Sequence, residues 1–189
     1  MKKRLFIAVD HSEDARARAA AYIERFRSLG SNARVSTTKA ENLHLTLKFL
    51  GDVDASAVDD VIKALDRACS ALPAFHLSIA GTGVFPSARK PKVLWLGVDD
   101  ADDGLKAAAK AVDDELNRLG FAKEDRVFSP HLTIGRIRDS AKGRDVADRH
   151  SMLGFGPVRF NVNEMVLYDS RLSPSGSMYT LIYKIKLAG

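Results

Sequence analysis

The sequence lacks the features of a secreted, disulfide-bonded or membrane-spanning protein. Cys69 is its only cysteine, so no disulfide can form within the chain, and we expect this residue to pack in a core. The first apolar run, LFIAV at residues 5–9, is too short for a signal peptide or a membrane span. With 46% hydrophobic and 28% charged residues, the chain has an ordinary globular composition. We therefore expect a soluble cytoplasmic protein that does not associate with membranes.

Motifs for metal and nucleotide chemistry are missing as well. No histidines and carboxylates have a metal-ligand spacing such as HExxH, and no P-loop is present. We therefore expect no metal and no cofactor, and a ligase that works through a covalent lysine–nucleotide intermediate is disfavoured. The net charge is +5, and basic residues gather at 2–4, 89–92 and 136–144. Such clusters suit a polyanionic partner, although solvated loop charge is the favoured explanation for any single cluster.

An internal duplication organises what the sequence does contain. The tetrapeptide HLTL at 44–47 returns as HLTI at 131–134, an offset of 87 residues. LFIAVD at 5–10 matches LWLGVD at 94–99, an offset of 89, and an acidic, alanine-rich segment follows each. Several elements recur in the same order and at nearly the same offset, which indicates that the chain has two similar halves.

The predicted elements give an α+β fold. The first helix is expected to begin at the N-cap Ser12 and to end at Gly30. Further helices are predicted over 100–120, 54–72 and, more weakly, 144–153, and later strands over 75–85, 157–169 and 178–187. We expect two pseudo-symmetric βαβαβ lobes with mostly antiparallel sheets around a central cleft. No linker separates them, so residues 1–189 are predicted to form one domain with lobes at about 1–88 and 89–189, and with exchange of strands between lobes allowed.

Strand alternation predicts which side chains of the two motifs meet. Successive side chains of a strand point to opposite faces, so His44 and Thr46 share one face. The residues predicted to face the core are Leu43, Leu45, Leu47 and Phe49. His131 and Thr133 have the same relation in the second motif, and pseudo-twofold symmetry then brings the two histidines and two threonines together across the cleft.

This constellation suits in-line displacement at phosphorus. Histidine has a pKa near 6.5, so one imidazole can act as general base while the other acts as general acid at neutral pH. Threonine hydroxyls can hold the non-bridging oxygens, and no metal is needed to complete the set. From these residues alone, a ribonuclease that forms cyclic phosphates fits as well as an enzyme that opens them.

The quoted motifs carry a resemblance to a known family. HLTLKFLG at 44–51, FSPHLTIGR at 128–136, RLFIAVD at 4–10 and GVFPSARKPKVLWLGVD at 83–99 resemble the 2H phosphoesterase superfamily. Within it they are similar to the bacterial RNA 2',3'-cyclic phosphodiesterases, also called 2'-5' RNA ligases. The resemblance implies a bilobal fold and metal-independent hydrolysis of a 2',3'-cyclic phosphate to a 2'-phosphomonoester.

The resemblance also implies a role for each site residue. His44 corresponds to the proton donor and His131 to the proton acceptor, while Thr46, Thr133 and Arg136 correspond to residues that contact the phosphate. The implied partner is RNA with a 2',3'-cyclic phosphate end, or a cyclic nucleotide, and we expect a monomer.

Arg136 needs a departure from strand alternation to reach the site. Counted from the second motif's histidine, position 136 falls on the core side, but Gly135 can mark a β-bulge that turns the next side chain around. Three further residues are candidates for RNA contacts: Lys48, Phe85 and Arg89. An aromatic ring such as Phe85 could stack on a base, and the cations could meet backbone phosphates.

Two other functions remain open at this point. The same residues could run the phosphodiester chemistry in reverse, as a ligase that joins a 2',3'-cyclic phosphate end to a 5'-hydroxyl end. A non-catalytic module could also use the threonines and basic loops to hold a terminal phosphate, with no chemistry at the histidines. Turnover of a cyclic nucleotide separates this last alternative from the two enzymes.

Overall fold

The computed structural model describes residues 1–29, 34–125, 127–139, 142–173 and 176–188. Within them the helices are α1 (Glu13–Ser28), α2 (Val58–Cys69), α3 (Gly104–Asn117) and α4 (Gly143–Leu153). The strands are β1 (Lys2–Val9), β2 (Val35–Thr37), β3 (Leu45–Asp54), β4 (Phe75–Phe85), β5 (Val93–Asp99), β6 (His131–Ile137), β7 (Val158–Val162), β8 (Glu164–Ser173) and β9 (Gly176–Lys186).

The strands form two sheets, with the orders β3-β1-β8-β9 and β2-β6-β5-β4-β7. Neighbouring strands among the described residues pair antiparallel. The predicted α+β fold with antiparallel sheets is therefore confirmed. Each sheet combines strands from the beginning and the end of the chain, and the lobe boundary near residue 88 stays a prediction.

Several predicted elements differ from the structure in their bounds or number. The helix expected from residue 54 begins at Val58, because β3 continues to Asp54 and a 3-10 turn follows it. The helix expected from residue 100 begins at Gly104. The single strand expected over 157–169 is two strands, since the chain leaves the second sheet after Val162 and enters the first sheet at Glu164.

Helices cover the core side of both sheets. The predicted N-cap of α1 is confirmed, since the Ser12 hydroxyl accepts a hydrogen bond from the Ala15 amide at 3.2 Å, whereas Gly30 lies outside the described residues. Helices α2 and α3 pack together and contact β9 and β3, while α1 and α4 contact β7 and β4. Cys69 is buried in this core, as expected, and burial raises the pKa of its thiol to about 12. None of the helices in the described part of the chain is both long and apolar enough to cross a membrane.

Candidate active site

Both motif histidines are held in one defined tautomer. His44 Nδ1 lies 2.7 Å from the carbonyl oxygen of Asn42, and His131 Nδ1 lies 2.8 Å from that of Ser129. A carbonyl oxygen can only accept, so each Nδ1 carries a proton and donates it. Nε2 is therefore the atom that each ring offers to a substrate, as acceptor when the ring is neutral and as donor when it is charged.

The backbone carbonyl that orients His44 is itself tied to the last hairpin. The side-chain amide of Asn42 donates to the carbonyl oxygen of Ser177 at 2.7 Å, which connects the 3-10 turn before β3 to β9. On the other motif, the hydroxyl of Thr38 donates to the carbonyl of Thr133 at 3.1 Å and fixes the segment beside β6. Strands β3 and β6, at whose starts the two motifs lie, contact each other although they belong to different sheets.

Aromatic side chains enclose both imidazoles. The ring centroid of His44 lies 4.7 Å from Phe6 and 5.1 Å from Tyr179, which meets it edge-on. His131 has Phe85 edge-on at 5.0 Å and Trp95 at 6.4 Å. Phe6 and Trp95 hold equivalent positions in the duplicated strands LFIAVD and LWLGVD, so the repeat supplies a similar wall to each histidine.

The electrostatic surroundings of the two histidines differ. Burial lowers the pKa of His44 below its ordinary value, and this effect outweighs the hydrogen bond to Asn42 and the carboxylate of Asp10, which both act in the opposite direction. The same Asp10 accepts a hydrogen bond from the hydroxyl of Tyr168 at 3.0 Å. Burial raises the Tyr168 pKa, so this hydroxyl keeps its proton at neutral pH. The Nδ1 hydrogen bond of His131, in contrast, is exposed.

A β-bulge follows the threonine in both motifs. Leu94 pairs with Gly135 and Trp95 with Thr133, so Ile134 is the extra residue of β6. After it, Gly135 is buried and Arg136 is exposed. The bulge inferred from Gly135 is therefore present and turns position 136 out of the core. Glycine suits this point because a Cβ there would lie 3.2 Å from the Ser36 carbonyl oxygen.

The residues after the equivalent bulge in β3 differ from two predictions. Ile7 pairs with Lys48 and Ala8 with Thr46, so Leu47 is the extra residue. Lys48 was a candidate for an RNA contact, but its side chain is 7% exposed. Its ammonium group donates to the carboxylate of Asp113 and to the carbonyl oxygen of Ala122. A buried and paired ammonium group is not free to bind RNA.

Phe49 was expected to face the core and is instead 68% exposed. The extra residue at Leu47 shifts the alternation by one position, so that Phe49 emerges where regular pairing would bury it. The assumption of regular alternation along the strand placed this residue on the wrong face. The signal that could have revealed it is the duplication itself, since Phe49 aligns with Arg136, whose reversal was predicted.

The other predicted residues have these places. Thr46 and Thr133 are half-buried, each two positions from a motif histidine. Phe85 is half-buried against the His131 ring, and Arg89 is exposed in the turn between β4 and β5. The described residues contain no group of three or more His, Cys, Asp or Glu side chains placed to hold a metal ion.

A third histidine, His150, is fully buried and hydrogen-bonds to β4 and β5, the second of which pairs with the strand of the second motif. His150 Nε2 lies 3.0 Å and 3.2 Å from the carbonyl oxygens of Trp95 and Gly83, and its Nδ1 lies 2.7 Å from the Tyr22 hydroxyl. Because Nε2 faces two acceptors it carries the proton, so Tyr22 donates to Nδ1. Burial lowers the pKa of His150. The neutral ring joins α4 and α1 to β5, which carries Trp95, and to β4, which carries Gly83.

The whole chain is similar to known phosphoesterases. A family model, the 2'-5' RNA ligase superfamily, matches residues 13–173. An RNA 2',3'-cyclic phosphodiesterase of Thermotoga maritima is 32% identical over 188 residues, which cover 98% of this chain and 96% of the relative. A protein of the same name from Methanocaldococcus jannaschii is 32% identical over 182 residues, covering 95% and 98%.

Solved structures agree with these matches. A protein of Thermus thermophilus superposes with a TM-score of 0.82 at 26% identity, covering 98% of both chains. E. coli LigT in complex with 3'-AMP superposes with a TM-score of 0.76 at 26% identity, covering 100% of both. The resemblance drawn from the duplicated motifs is thus confirmed.

Proposed function

The chain belongs to the 2'-5' RNA ligase superfamily, and from this premise we propose that it opens the 2',3'-cyclic phosphate end of RNA by acid–base catalysis between His44 and His131. It is an RNA 2',3'-cyclic phosphodiesterase. The observation that carries the mechanism is the matched tautomer of the two rings, which leaves the Nε2 atom of each available at the start of two strands that contact each other.

The reaction is an in-line displacement at phosphorus. Nε2 of neutral His131 takes a proton from water as the water oxygen bonds to phosphorus. The P–O3' bond breaks, and Nε2–H of protonated His44 gives its proton to the departing O3'. The ribose then carries a 3'-hydroxyl and a 2'-phosphomonoester. Exchange of one proton at each ring with solvent restores the starting protonation state.

The assignment of donor and acceptor comes from the family and agrees with the surroundings of each ring. Burial lowers the pKa of His44, so its protonated form gives up a proton more readily than an ordinary imidazolium does. The negative charge of a bound phosphodiester favours that protonated form in the complex. His131, whose Nδ1 bond is exposed, lies on the side that water can reach.

Thr46, Thr133 and Arg136 complete the proposed site as oxygen holders. Each threonine stands two positions after a motif histidine, and the exposed Arg136 follows the bulge at Ile134, which supports this assignment. Donors placed where charge develops on the non-bridging oxygens lower the barrier more than they tighten ground-state binding. Action on RNA ends as a cytoplasmic monomer is also part of the proposal.

The proposed mechanism predicts turnover without a divalent metal. We expect purified protein to open an RNA oligonucleotide with a 2',3'-cyclic phosphate end equally fast with and without excess EDTA, because the histidines supply both proton transfers. The measurement is loss of the cyclic end, followed chromatographically. The same RNA ending in a 3'-phosphate is the control substrate and should stay unchanged.

Two results of this assay would contradict the proposal. Loss of activity in EDTA that returns on addition of a divalent metal would refute the metal-free mechanism. Binding of the cyclic end without any turnover would favour the non-catalytic module. Addition of an RNA with a 5'-hydroxyl end to the same reaction measures the ligase direction, in which the 5'-oxygen replaces water.

A further inference from the structure

The buried pair of His150 and Tyr22 forms a complete hydrogen-bond network outside the proposed catalytic residues. Nε2 of His150 donates to the carbonyl oxygens of Trp95 and Gly83. Nδ1 accepts from the Tyr22 hydroxyl, and the rings of Tyr22 and Phe26 meet the imidazole edge-on at 5.8 Å and 5.9 Å. Burial of an imidazole costs free energy unless both nitrogens are hydrogen-bonded, whereas an apolar side chain fills a core without that requirement. The carbonyl oxygens that His150 binds therefore indicate its role.

Trp95, one of these two carbonyl partners, lies where the ladder between β5 and β6 is interrupted. It pairs with Thr133, and the extra residue Ile134 follows directly. A bulge disrupts the ladder locally, so β6 fixes the Trp95 backbone less firmly than regular pairing would. On its other side Trp95 pairs with Gly83 of β4, and His150 binds the carbonyl oxygens of both. The imidazole thus joins β4 to β5 at the position where the bulge weakens the hold of β6.

The Trp95 side chain connects this position to the second motif. Directly opposed residues place their side chains on the same face, so the indole stands beside Thr133. Its ring centroid lies 6.4 Å from that of His131. A Cβ at Gly83 would lie 2.1 Å from the indole, so the ring lies directly over this glycine. The indole Nε1 is buried and has no hydrogen-bond partner in the described part of the chain, so packing and the strand backbone determine where the ring lies.

We infer that His150 is a positioning residue: its hydrogen bonds hold the Trp95 backbone in place and, through it, the histidine and threonine of the second motif. This inference rests on the proposed function. Tyr22 contributes by donating to Nδ1, which keeps the proton on Nε2, where the two carbonyl oxygens accept it. Displacement of a reacting group by about 1 Å can cost roughly 10²-fold in rate, even when the altered residue is remote from the chemistry.

The test compares two variants of His150 that differ mainly in hydrogen bonding. Gln and Met side chains have similar length and volume, and the glutamine amide nitrogen can donate in place of the imidazole Nε2. We expect His150→Met to lower kcat on a 2',3'-cyclic phosphate by roughly 10- to 100-fold, because the second motif loses its alignment. KM should stay near the parent's, since the misplaced groups act in the transition state. His150→Gln should keep most of the parent's kcat.

Trp95 provides a second measurement, because it is the only tryptophan of the chain. Its fluorescence emission therefore reports the surroundings of this one ring. In His150→Met we expect the emission maximum to move to longer wavelength and acrylamide to quench the ring more strongly. His150→Gln should give the parent's spectrum. All variants are compared at a temperature at which circular dichroism shows each of them folded.

Val61→Ala is the matched control for lost stability. Val61 is fully buried on α2, which packs against α3 and β9. This variant should unfold at a lower temperature than the parent and keep the parent's kcat and Trp95 emission. Tyr22→Phe removes the donor to Nδ1 and tests the same network if His150→Met does not fold. It should lower kcat several-fold and shift the Trp95 emission in the same direction.

Each other outcome overturns the inference. Equal losses of kcat in His150→Gln and His150→Met would assign the effect to ring packing, and an equal loss in Val61→Ala would assign it to stability. Parent-like kcat in His150→Met and Tyr22→Phe would make the network purely structural. A fall in kcat without a change in emission would exclude the route through Trp95.

The activity of the parent separates these failures from failure of the proposed function. If the parent opens the cyclic phosphate and one of these outcomes is found, the proposed function stands and only the positioning role of His150 fails. If the parent shows no turnover, the proposed function fails and the positioning role fails with it.

Discussion

Replacing either His44 or His131 by alanine should lower turnover of a 2',3'-cyclic phosphate by about 10²- to 10⁴-fold, the usual contribution of a general acid or base. Each alanine removes the imidazole that the proposed mechanism assigns to one proton transfer, and water cannot substitute efficiently for a positioned imidazole. Both rings are half-buried at the cleft and outside the apolar core, so we expect both variants to fold. The measurement is the single-turnover rate at saturating substrate.

The matched control for these variants is another histidine of the same chain. His76 is exposed on β4, and His76→Ala should turn over like the parent. Near-normal activity of either His44→Ala or His131→Ala would contradict the paired mechanism. Equal activity of the double variant and each single variant would support it, because the two rings act in one step.

The pH dependence of the parent follows from the same pair. One histidine must be charged and the other neutral, so the rate should be bell-shaped, with apparent pKa values that belong to the pair. Burial lowers the pKa of His44, and the negative charge of a bound phosphodiester raises it again. The optimum for kcat should therefore lie at higher pH than the optimum for kcat/KM. A flat profile with chemistry rate-limiting would contradict this prediction.

The second large effect is expected at the threonines. Removing one donor to the charge that develops on phosphate oxygens costs about 2.7–4 kcal/mol in comparable sites, or roughly 10²- to 10³-fold in kcat. Thr46→Val and Thr133→Val delete the hydroxyl and keep the β-branched shape that suits a strand. We therefore expect both variants to fold like the parent and to lose turnover by this factor. The measurement is kcat on the same cyclic substrate.

A threonine away from the cleft is the control for this prediction. Thr180 is exposed on β9 opposite Asp169, and Thr180→Val should leave kcat unchanged. Parent-like turnover in both Thr46→Val and Thr133→Val would show that these threonines have only a structural role in the sheets.

The duplication made the fold class predictable and indicated the candidate site. His44, Thr46 and their partners recur with their flanking strands, and this repeat of strand and helix elements indicated an α+β fold with antiparallel sheets. Gly135 marked the bulge that turns Arg136 outward, because glycine in a strand is a recognised sign of irregular pairing. Local residue chemistry was enough for these features.

The errors arose where irregular or distant pairing decides the outcome. The bulge at Leu47 has no glycine beside it, so regular alternation assigned Phe49 to the core and left Lys48 available for RNA. The pairings of β1 with β8 and of β2 with β6 join residues more than 90 positions apart, and no local pattern specifies such partners. The burial of His150 likewise depends on Tyr22 and two strand carbonyls from distant segments.

The position of the phosphate in the product tests the central claim most directly. If His44 protonates O3' and water enters from the His131 side, an RNA with a 2',3'-cyclic phosphate end, incubated with the protein in EDTA, must yield a 2'-phosphomonoester. Chromatography of the released end nucleotide against 2'- and 3'-phosphate standards measures this. The account predicts the 2'-phosphate as the sole product. A predominantly 3'-phosphate product would show that the ribose binds in the opposite sense, which contradicts the donor role of His44.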